Sequence, residues 1–434
     1  MIPFMAVSGF AQAAHEAVPV APQSTNENWA IHFQATSITQ FHDRFSEPYS
    51  GQNSLKADEP FRTTYTGTLF LGAKLWRGAE LHVNPEVSGG RGLSGTVGVA
   101  GFPNGEATRV GNPDPTPYFA RYFLRQRFDL GGDTEMLEPD QNQLAGPQDK
   151  SNFTITIGKM AAGDVFDENS YSHDPRTQFM DWALMANGAW DYPADTRGYT
   201  YGLTLEFNQP HWAVRAGTFM VPTEANGEKF DRNFGKASGN VLEFEHSYNL
   251  FGKPGAARIL SYANFAHMGS YARALQLAPV NPDITGARDY RVKYGIGLNI
   301  EQQITSDVGA FLRAGWNDGR TETWMFTEID GSVSGGVSVK GTLWGRKNDT
   351  FGVAGVVNGL SSEHRRYLQA GGFGFIVGDG ALRYSPEEIL ETYYSCGICK
   401  YFYVTAAYQF IEHPGYNADR GPANVGTVRV HCEF

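Results

Sequence analysis

Apolar and polar residues alternate along many short segments of this chain. The last ten residues show the pattern most clearly, because V-G-T-V-R-V-H-C-E-F, residues 425–434, alternates apolar and polar side chains almost throughout. Side chains of a β-strand point to opposite faces in turn, so this segment predicts a strand with one apolar and one polar face. Similar alternation recurs in segments that begin near Trp29, Ala79, Tyr118, Tyr199, Tyr290 and Val308. The chain is therefore predicted to be all-β.

The connections between these segments fall into a short set and a long set. The short ones are residues 77–78, 208–211, 251–255 and 396–400, and the long ones are residues 43–60, 92–116, 163–196, 222–238, 269–287, 359–385 and 412–424. Bacterial outer-membrane barrels have short periplasmic turns and long extracellular loops. We therefore predict a transmembrane antiparallel β-barrel. A large soluble antiparallel protein would alternate in the same way, but its loops would not divide into two sets along the whole chain.

The number of strands follows from the topology of such barrels. Single-chain bacterial barrels have an even number of strands because both termini face the periplasm. Counting back from Phe434 gives about 16 strands when residues 321–330 are assigned to a loop or to the outer end of the following strand. The facing of residues 257–268 and 351–358 is left open by their pattern. The connection 130–151 is long where a short turn is expected, which indicates an excursion on the periplasmic side.

The overall composition is compatible with a membrane protein built from strands. The 434 residues have a mean hydropathy of −0.37 and contain no run of 18 or more apolar residues, so no helix is predicted to span a bilayer. The net charge of −11 argues against a nucleic-acid partner. The sequence Ala11-Gln12-Ala13 resembles a signal-peptidase site. We therefore predict a signal-peptide remnant at residues 1–13, a flexible leader at 14–27 and a single barrel at 28–434.

The chain has three cysteines, two of which form the C-x-x-C sequence of Cys396 and Cys399. A zinc site would need a second pair or histidines at ligand spacing, and neither follows. The sequence therefore predicts no metal site and no other cofactor. We interpret Cys396 and Cys399 as flanking a tight turn, where a disulfide is an option outside the cytosol.

Several longer motifs resemble one protein family. The most specific is F-D-E-N-S-Y-S-H-D-P-R-T-Q-F-M-D-W-A-L-M, from Phe166 to Met185. Others are L-F-L-G-A-K-L-W from Leu69, D-T-R-G-Y-T-Y-G from Asp195, T-E-T-W-M-F-T-E-I-D from Thr321 and G-Y-N-A-D-R-G-P from Gly415. Over nearly its full mature length the chain is similar to the carbohydrate-selective porins of the OprB type. The resemblance implies a 16-stranded barrel in the bacterial outer membrane that passes sugars by diffusion through an Arg-rich constriction.

The polar faces of the strands supply the candidate pore-lining residues. They are Arg121, Arg125, Arg127, Arg215, Arg291, Lys293, Arg313, Glu80, Glu86, Glu206, Glu243, Glu245 and Glu301. Sugar hydroxyls both donate and accept hydrogen bonds, so such a mixture can replace their hydration water. The alternative for any single arginine is pairing with a lumen glutamate that satisfies its charge. In the segment from Tyr118, we expect Tyr118 and Ala120 on the apolar face and Phe119 and Arg121 on the polar face.

The long connection 163–196 is the candidate for a constriction loop folded into the barrel. Pro175 follows Asp174, where a helix can start, and we expect a short helix over Thr177–Met185. The loop residues predicted to contact the solute are Asp167, Asp174, Arg176, Gln178 and Trp182. The alternative is a loop packed on the outer surface.

These observations favour passive diffusion of mono- and small oligosaccharides, with a general or anion-preferring porin as the alternative. A barrel enzyme would need a recognisable catalytic constellation, and the chain has no G-x-S-x-G sequence, so we do not expect an enzyme. A purely structural or adhesive barrel is a further alternative. The expected partners are small sugars, the lipid bilayer with lipopolysaccharide, and the barrel-assembly machinery through Phe434. A homo-oligomer remains an open option.

Overall fold

Sixteen strands close into one antiparallel barrel in the computed structural model, which describes residues 26–108 and 113–434. The barrel strands are β1 (Trp29–His42), β2 (Arg62–Trp76), β3 (Ala79–Gly90), β4 (Thr116–Asp129), β7 (Asn152–Met160), β8 (Thr200–Gln209), β9 (Trp212–Phe219), β10 (Ser238–Leu250), β11 (Lys253–Gly269), β12 (Arg288–Gln303), β13 (Val308–Asn317), β14 (Gly331–Lys340), β15 (Thr350–Gly359), β16 (Glu387–Cys399), β17 (Phe402–Glu412) and β18 (Ala423–Glu433). Strands β5 (Thr134–Leu137) and β6 (Gly146–Asp149) form a separate hairpin. The predicted signal remnant at 1–13, and all of the leader except residues 26 and 27, lie outside the described residues.

Helical segments are short and lie in the connections. The α-helices are α1 (Trp182–Met185), α2 (Tyr271–Leu277) and α3 (Ser362–Gln369), and the 3₁₀ turns are Leu93–Gly95, Ala162–Asp164, Thr285–Ala287, Gly341–Trp344 and Pro414–Tyr416. Within the described ranges, none of the helices is both long enough and apolar enough to cross a bilayer.

The barrel closes where the first and last strands meet. Strand β1 pairs with both β2 and β18, with Gln34 opposite Glu433. Phe33 and Phe434 exchange backbone hydrogen bonds of 2.9 and 3.0 Å. This closure leaves the 16-stranded sheet of the described residues without an exposed edge. The prediction of an antiparallel barrel of about 16 strands is confirmed, and residues 321–330 lie in the loop between β13 and β14, as the strand count required.

The two ends of the barrel differ in their connections. One end has tight turns at residues 77–78, 210–211, 251–252 and 400–401, and the other end has the long loops. Gly78 and Gly252 have φ angles of 74° and 78°, which glycine adopts without strain. The predicted division into short turns and long loops is confirmed, with residues 130–151 as the longest connection on the short-turn side and residues 341–349 as one of intermediate length.

The distribution of polarity is that of an outer-membrane barrel, inverted relative to a soluble protein. Large apolar side chains are exposed on the outside, including Ile31, Leu242, Ile259, Ile296, Leu312, Val333 and Val428. Several of their neighbours in sequence are buried charged residues that point inward, as Glu243 does beside Leu242, Arg258 beside Ile259 and Arg429 beside Val428. An exposed apolar band with a polar interior is what lipid on one side and water on the other require.

A β-bulge reverses the expected facing in the outer part of β4. Asn84 pairs with Arg121 and Pro85 pairs with Phe119, so Ala120 has no partner in the β3–β4 register. Beyond the bulge Phe119 is 54 % exposed on the outside, and the Tyr118 hydroxyl donates to the inward carboxylate of Glu86. The predicted facing of Tyr118 and Phe119 was therefore wrong, because one extra residue shifts the alternation by one position.

The lumen contains a hydrophobic core made by loops that fold inward. Its buried members include Leu93, Phe102, Phe179, Trp182, Ile329, Tyr367 and Ile376. The inward face of β15 contributes Ala354 and Val356 to this core, and the inward face of β11 contributes Leu260 and Tyr262 to a second cluster. These two strands had an ambiguous pattern because their inward side chains contact loops rather than water.

The cysteines lie near the short-turn rim. Cys396 and Cys399 both belong to β16, and the turn at residues 400–401 follows them. All three cysteines are free thiols, so the disulfide considered for this pair is absent. The expectation that the two residues flank a turn is corrected: both precede it.

Candidate pore constriction

Residues 161–199, which connect β7 to β8 and contain the predicted constriction loop, lie inside the barrel. We call them the inner loop. Carboxylates of the wall accept hydrogen bonds from its backbone: Glu243 from the Asp167 amide at 2.8 Å, and Glu301 from the Ser170 amide at 2.5 Å. Glu391 accepts from the amides of Met180 and Asp181 at 2.8 and 3.0 Å. Buried backbone amides need such partners, so these glutamates hold the loop against the wall.

Two arginines of the wall bind the carbonyls of the same loop. Arg429 on β18 donates to the carbonyl oxygens of Pro175, Thr177 and Gln178 at 2.7 to 3.0 Å. Arg313 on β13 donates to the Leu184 carbonyl at 2.9 Å and to the Asp167 carboxylate at 3.1 Å. The side chain of Arg313 is only 1 % exposed. The loop is therefore fixed to two separate parts of the wall, five strands apart in the barrel.

The helix expected over Thr177–Met185 is reduced to a single turn. Helix α1 spans Trp182–Met185 and begins after Asp181, whose carboxylate caps the Ala183 amide at 2.8 Å. The preceding residues do not continue the helix, because their amides bond to Glu391 and their carbonyls bond to Arg429. Long-range partners thus replace the local hydrogen bonds of a longer helix.

A cavity of about 670 Å³ lies between the inner loop and the wall. Of the predicted site residues, those that border it are Arg121, Arg125, Glu301, Asp167, Asp174, Arg176 and Gln178. It is also bordered by Glu106, Asp164, Glu168, His173 and Tyr199. Charged groups of both signs therefore border one cavity inside the barrel.

Two arginines on this cavity are held by carboxylates. Arg121 donates from Nε and Nη2 to both oxygens of Asp164 at 2.7 and 2.6 Å, and its guanidinium lies 5.1 Å from the Tyr199 ring centre. Arg176 of the inner loop lies 2.9 Å from Glu106 and 3.4 Å from Glu86. Such paired geometry fixes both the position and the orientation of a planar guanidinium.

The loop carboxylates respond differently to this environment. Burial alone would raise the pKa of Asp164, but the Arg121 guanidinium holds the pKa below its ordinary value. Burial raises the pKa of Glu168, which has only the more distant charge of His173 and other cations to offset it. Asp164 is therefore a fixed negative charge, whereas Glu168 is more readily protonated.

A ladder of alternating charges follows the wall from β8 to β12. Arg215 contacts Glu206 at 3.6 Å, Glu243 at 3.0 Å and Glu245 at 2.9 Å. Arg258 continues it with contacts to Glu245 at 2.8 Å and Glu301 at 3.3 Å. Five of these side chains were expected as separate pore residues, and the structure brings them into one network with Arg258.

The remaining predicted residues lie away from the cavity. Lys293 and Arg313 are buried against loops, with Lys293 3.6 Å from Asp330. Arg127 bonds Gln148 at 2.8 Å near the short-turn rim, Glu80 lies 3.1 Å from His82, and Arg291 lies on β12. Lys293 and Arg313 hold loops to the wall, which corrects the expectation that both face the pore.

Trp182 also has a packing role rather than a place on the cavity. Its ring lies 5.4 Å from Phe102 and 5.6 Å from Phe326, and its indole N–H donates to the Asn104 carbonyl at 2.9 Å. The ring is only 6 % exposed. It joins three inward-folded loops, so the expectation that it contacts the solute is corrected.

Sequence reasoning missed several residues around the site. Glu106 and Asp164 border the cavity from loops, where no periodicity predicts the direction of a side chain. Tyr199 was assigned to the start of an alternating segment, but it ends the inner loop and borders the cavity. Arg258 lies on the ambiguous strand β11. Arg429 was visible on the polar face of the last strand, but only the fold reveals that its partners are loop carbonyls.

Comparisons with known proteins agree with this architecture. The family described as "Carbohydrate-selective porin, OprB family" matches residues 58–434. OprB of Pseudomonas putida, solved at high pH, superposes with a TM-score of 0.71 at 16 % identity, covering 94 % of each chain. The outer membrane channel DcaP of Acinetobacter baumannii superposes with a TM-score of 0.51 at 9 % identity, covering 94 % of this chain and 97 % of that one.

A search of curated proteins gave no match. The family match spans most of the chain, and the closed 16-stranded barrel is the fold of the solved outer-membrane channels. The chain therefore belongs to the carbohydrate-selective porins of the OprB family, which places it in the bacterial outer membrane.

Proposed function

We propose that the protein lets monosaccharides and small oligosaccharides diffuse through the cavity beside the inner loop. The observation that carries the proposal is the pair of fixed arginines, Arg121 and Arg176, on a cavity that also has carboxylates and the Tyr199 ring. Guanidinium groups donate to sugar hydroxyls, carboxylates accept from them, and an aromatic ring contacts the apolar face of a pyranose. The family and the fold are those of a channel rather than an enzyme.

The charge pairing favours a neutral solute over an anion. Arg121 and Arg176 each have carboxylates within 3.5 Å, so neither is an isolated positive charge. Paired charges create a local field across the pore and leave little net attraction for one sign of ion. The alternative of a general or anion-preferring porin predicts a strong anion preference in reversal-potential measurements and no sugar-dependent block.

Binding inside such a channel has to be weak. A channel that holds its solute tightly does not conduct, and the arginines here are already partly satisfied by their carboxylates. A sugar thus replaces water at the remaining hydrogen-bonding positions without breaking the ion pairs. Passive diffusion needs no cofactor and no moving gate.

Sugar block of ion current in planar bilayers tests this proposal. We expect glucose to reduce the current through the native channel and expect the double variant Arg121→Ala, Arg176→Ala to lose most of this block. Arg77→Ala is the matched control, because the Arg77 side chain is 93 % exposed in the turn between β2 and β3. Equal block in the double variant and the native channel would contradict the assignment of these arginines.

We also propose that the terminal Phe434 is the group that the barrel-assembly machinery recognises. It is 63 % exposed at the seam of the barrel, next to the Phe33 ring at 5.5 Å. The outward apolar band would contact the bilayer and lipopolysaccharide.

The sequence left the oligomeric state open. Sedimentation in detergent would distinguish a monomer from a homo-oligomer.

A further inference from the structure

The connection between β4 and β7 departs from the short turns at its end of the barrel. The Leu130 amide bonds to the Ser151 carbonyl at 3.0 Å, so a tight turn could follow these residues directly. Instead the chain continues through Gly131 and Gly132, with φ angles of 84° and 100°. These backbone conformations favour glycine, and they lead into the hairpin of β5 and β6. We call residues 131–150 the periplasmic hairpin.

The tip of the periplasmic hairpin, residues 140–143, lies inside the barrel, against the wall formed by β1, β3 and β4. The carbonyl of Asn142 accepts from Arg125 Nη1 at 2.9 Å, and its side-chain oxygen accepts from Asn84 Nδ2 at 2.8 Å. Gln141 Nε2 donates to Gln34 Oε1 at 3.2 Å. Asn84 lies in the middle of β3, and Arg125 lies four residues before the short-turn end of β4. The tip therefore reaches well beyond the rim.

The residues that follow the tip, Leu144 and Ala145, are also held in place by burial and by hydrogen bonds. Leu144 and Ala145 are 4 % and 7 % exposed. The amide of Glu27 donates to the Ala145 carbonyl at 2.9 Å, and the Glu27 carboxylate accepts from the Ala145 amide at 2.8 Å. The backbones of Asp140 and Gln143 bond to each other in both directions at 3.1 and 3.3 Å. The tip is thus an ordered turn.

The chemistry of the tip matches that of the cavity. The sequence Asp140-Gln141-Asn142-Gln143 borders the same 670 Å³ space as Arg121 and Arg176. Carboxamide groups both donate and accept hydrogen bonds, as sugar hydroxyls do. The inner loop therefore borders the cavity with fixed charges, and the periplasmic hairpin borders it with amides and one carboxylate.

We propose that residues 140–143 form a second constriction, on the periplasmic side of the cavity, which contacts the sugar as it leaves and sets the largest sugar that passes. This inference rests on the proposed function for its solute. Its geometric part, a narrowing of the pore, applies to ions as well and can be tested without sugar. The competing role is a brace that only stabilises the β4–β7 wall.

Shortening the hairpin separates the two roles. In the test variant, Leu130 and Ser151 are joined by Asn-Gly, which favours a tight turn between antiparallel strands. Removal of a second constriction is expected to raise the single-channel conductance by about twofold and to let a trisaccharide enter liposomes faster relative to glucose. Unchanged conductance and unchanged size dependence, in a variant that remains heat-modifiable in gels, would overturn the proposal.

Point variants test whether the hairpin tip narrows the pore, even if the shortened barrel fails to fold. In a background with the three cysteines replaced by serine, Gln143→Cys should lose most of its current when a bulky thiol-specific reagent is added from the periplasmic side. Met136→Cys is the matched control, because Met136 lies on the stem and is 50 % exposed. Equal loss or no loss in both variants would contradict a constriction at the tip.

The contact between the hairpin tip and the sugar is tested by a separate measurement, the block of ion current by glucose. Gln141→Ala with Gln143→Ala should weaken glucose block and leave the folded fraction unchanged, with Met136→Ala as the control. Absence of glucose passage in the native channel would refute the proposed function, whereas the conductance and thiol experiments would still decide whether the hairpin narrows the pore.

Discussion

The two sides of the lumen obey different rules although both are built from the same kind of strand. On one side, which we call the charged wall, β8 to β12 present Arg215, Arg258 and their glutamate partners. On the other, the packed wall, β13 to β16 present Phe311, Arg313, Ala354, Val356 and Tyr393, which are covered by inner-loop residues such as Phe179. The inward charges of the charged wall therefore pair mainly with one another, whereas the inward side chains of the packed wall pack against the inner loop.

The difference assigns distinct tasks to similar residues. Arg313 and Arg429 are almost fully buried and bind loop backbone, whereas Arg121 and Arg125 border the cavity. The first pair fixes the shape of the pore, and the second pair supplies its chemistry. Substitutions on the packed wall should therefore change stability and pore size. Substitutions on the charged wall should change the selectivity of the pore.

The largest effect is expected for Arg313→Ala on the packed wall. It leaves Asp167 as a buried carboxylate without its cation and frees the Leu184 carbonyl. Loss of one partner of a buried ion pair costs about 3–5 kcal/mol of stability, measurable as the urea dependence of unfolding in detergent. We also expect larger and noisier single-channel currents, because the inner loop loses an anchor. A native unfolding curve and native conductance would contradict the separation between the two walls.

The next effect is expected for Arg215→Met on the charged wall. Glu206, Glu243 and Glu245 lose a shared cation, so the local field becomes more negative and the reversal potential should move toward cation preference. The free energy of unfolding should fall by about 1–3 kcal/mol, less than for Arg313→Ala, because Glu245 keeps its ion pair with Arg258 and Glu243 keeps the Asp167 amide. If Arg215→Met lost more stability than Arg313→Ala, the proposed difference between the charged wall and the packed wall would be contradicted.

A smaller change is expected for the double variant Arg125→Ala, Arg127→Ala. Arg125 borders the cavity and lies 3.9 Å from Glu80, and Arg127 lies near the rim beside Asp129. We expect the reversal potential to shift toward cations and the sugar block to fall, with little effect on stability, since the pairs are partly exposed. Bilayer recordings measure both quantities. If conductance and block both stay at native values, these arginines do not belong to the solute path.

The smallest effect is expected from pH acting on the hairpin tip. Burial, together with the nearby carboxylates Glu433, Asp174 and Glu168, raises the pKa of Asp140 to about 6. The folded state therefore holds a proton that the unfolded state has lost, and the stability from this proton declines as pH rises from about 4 through about 6. Over the same range, cation preference should increase with pH as Asp140 becomes charged.

Asp140→Asn should remove this pH dependence of the reversal potential. Asp133→Asn is the matched control, because the Asp133 side chain is 83 % exposed on the hairpin stem. Retention of the full pH dependence in Asp140→Asn would assign it to another carboxylate of the cavity.

The success of sequence reasoning depends on what the inward-facing side chains of each strand contact. Alternation predicted the barrel, its strand count and its loops, because most strands face lipid on one side and polar groups on the other. It failed at Ala120, where a bulge shifts the register, and gave no facing for β11 and β15, where the inward residues pack on loops. The family resemblance supplied the constriction that periodicity could not.

The site was predictable only in part for a similar physical reason. Arg121 and Arg176 were identified as site residues, but their partners Asp164 and Glu106 lie in loops that are distant in sequence. The burial of Arg313 and Lys293 depends on loops that fold back onto the strands. Such contacts are set by the path of the whole chain, and no local pattern encodes them.

The most direct test of the account is the rate of liposome swelling across neutral sugars of increasing size. If the cavity beside the inner loop is the solute path, liposomes with the folded protein should swell rapidly in glucose, more slowly in a disaccharide and slowest in a trisaccharide. No swelling in glucose above that of protein-free liposomes, with the barrel folded and inserted, would contradict a sugar-conducting pore.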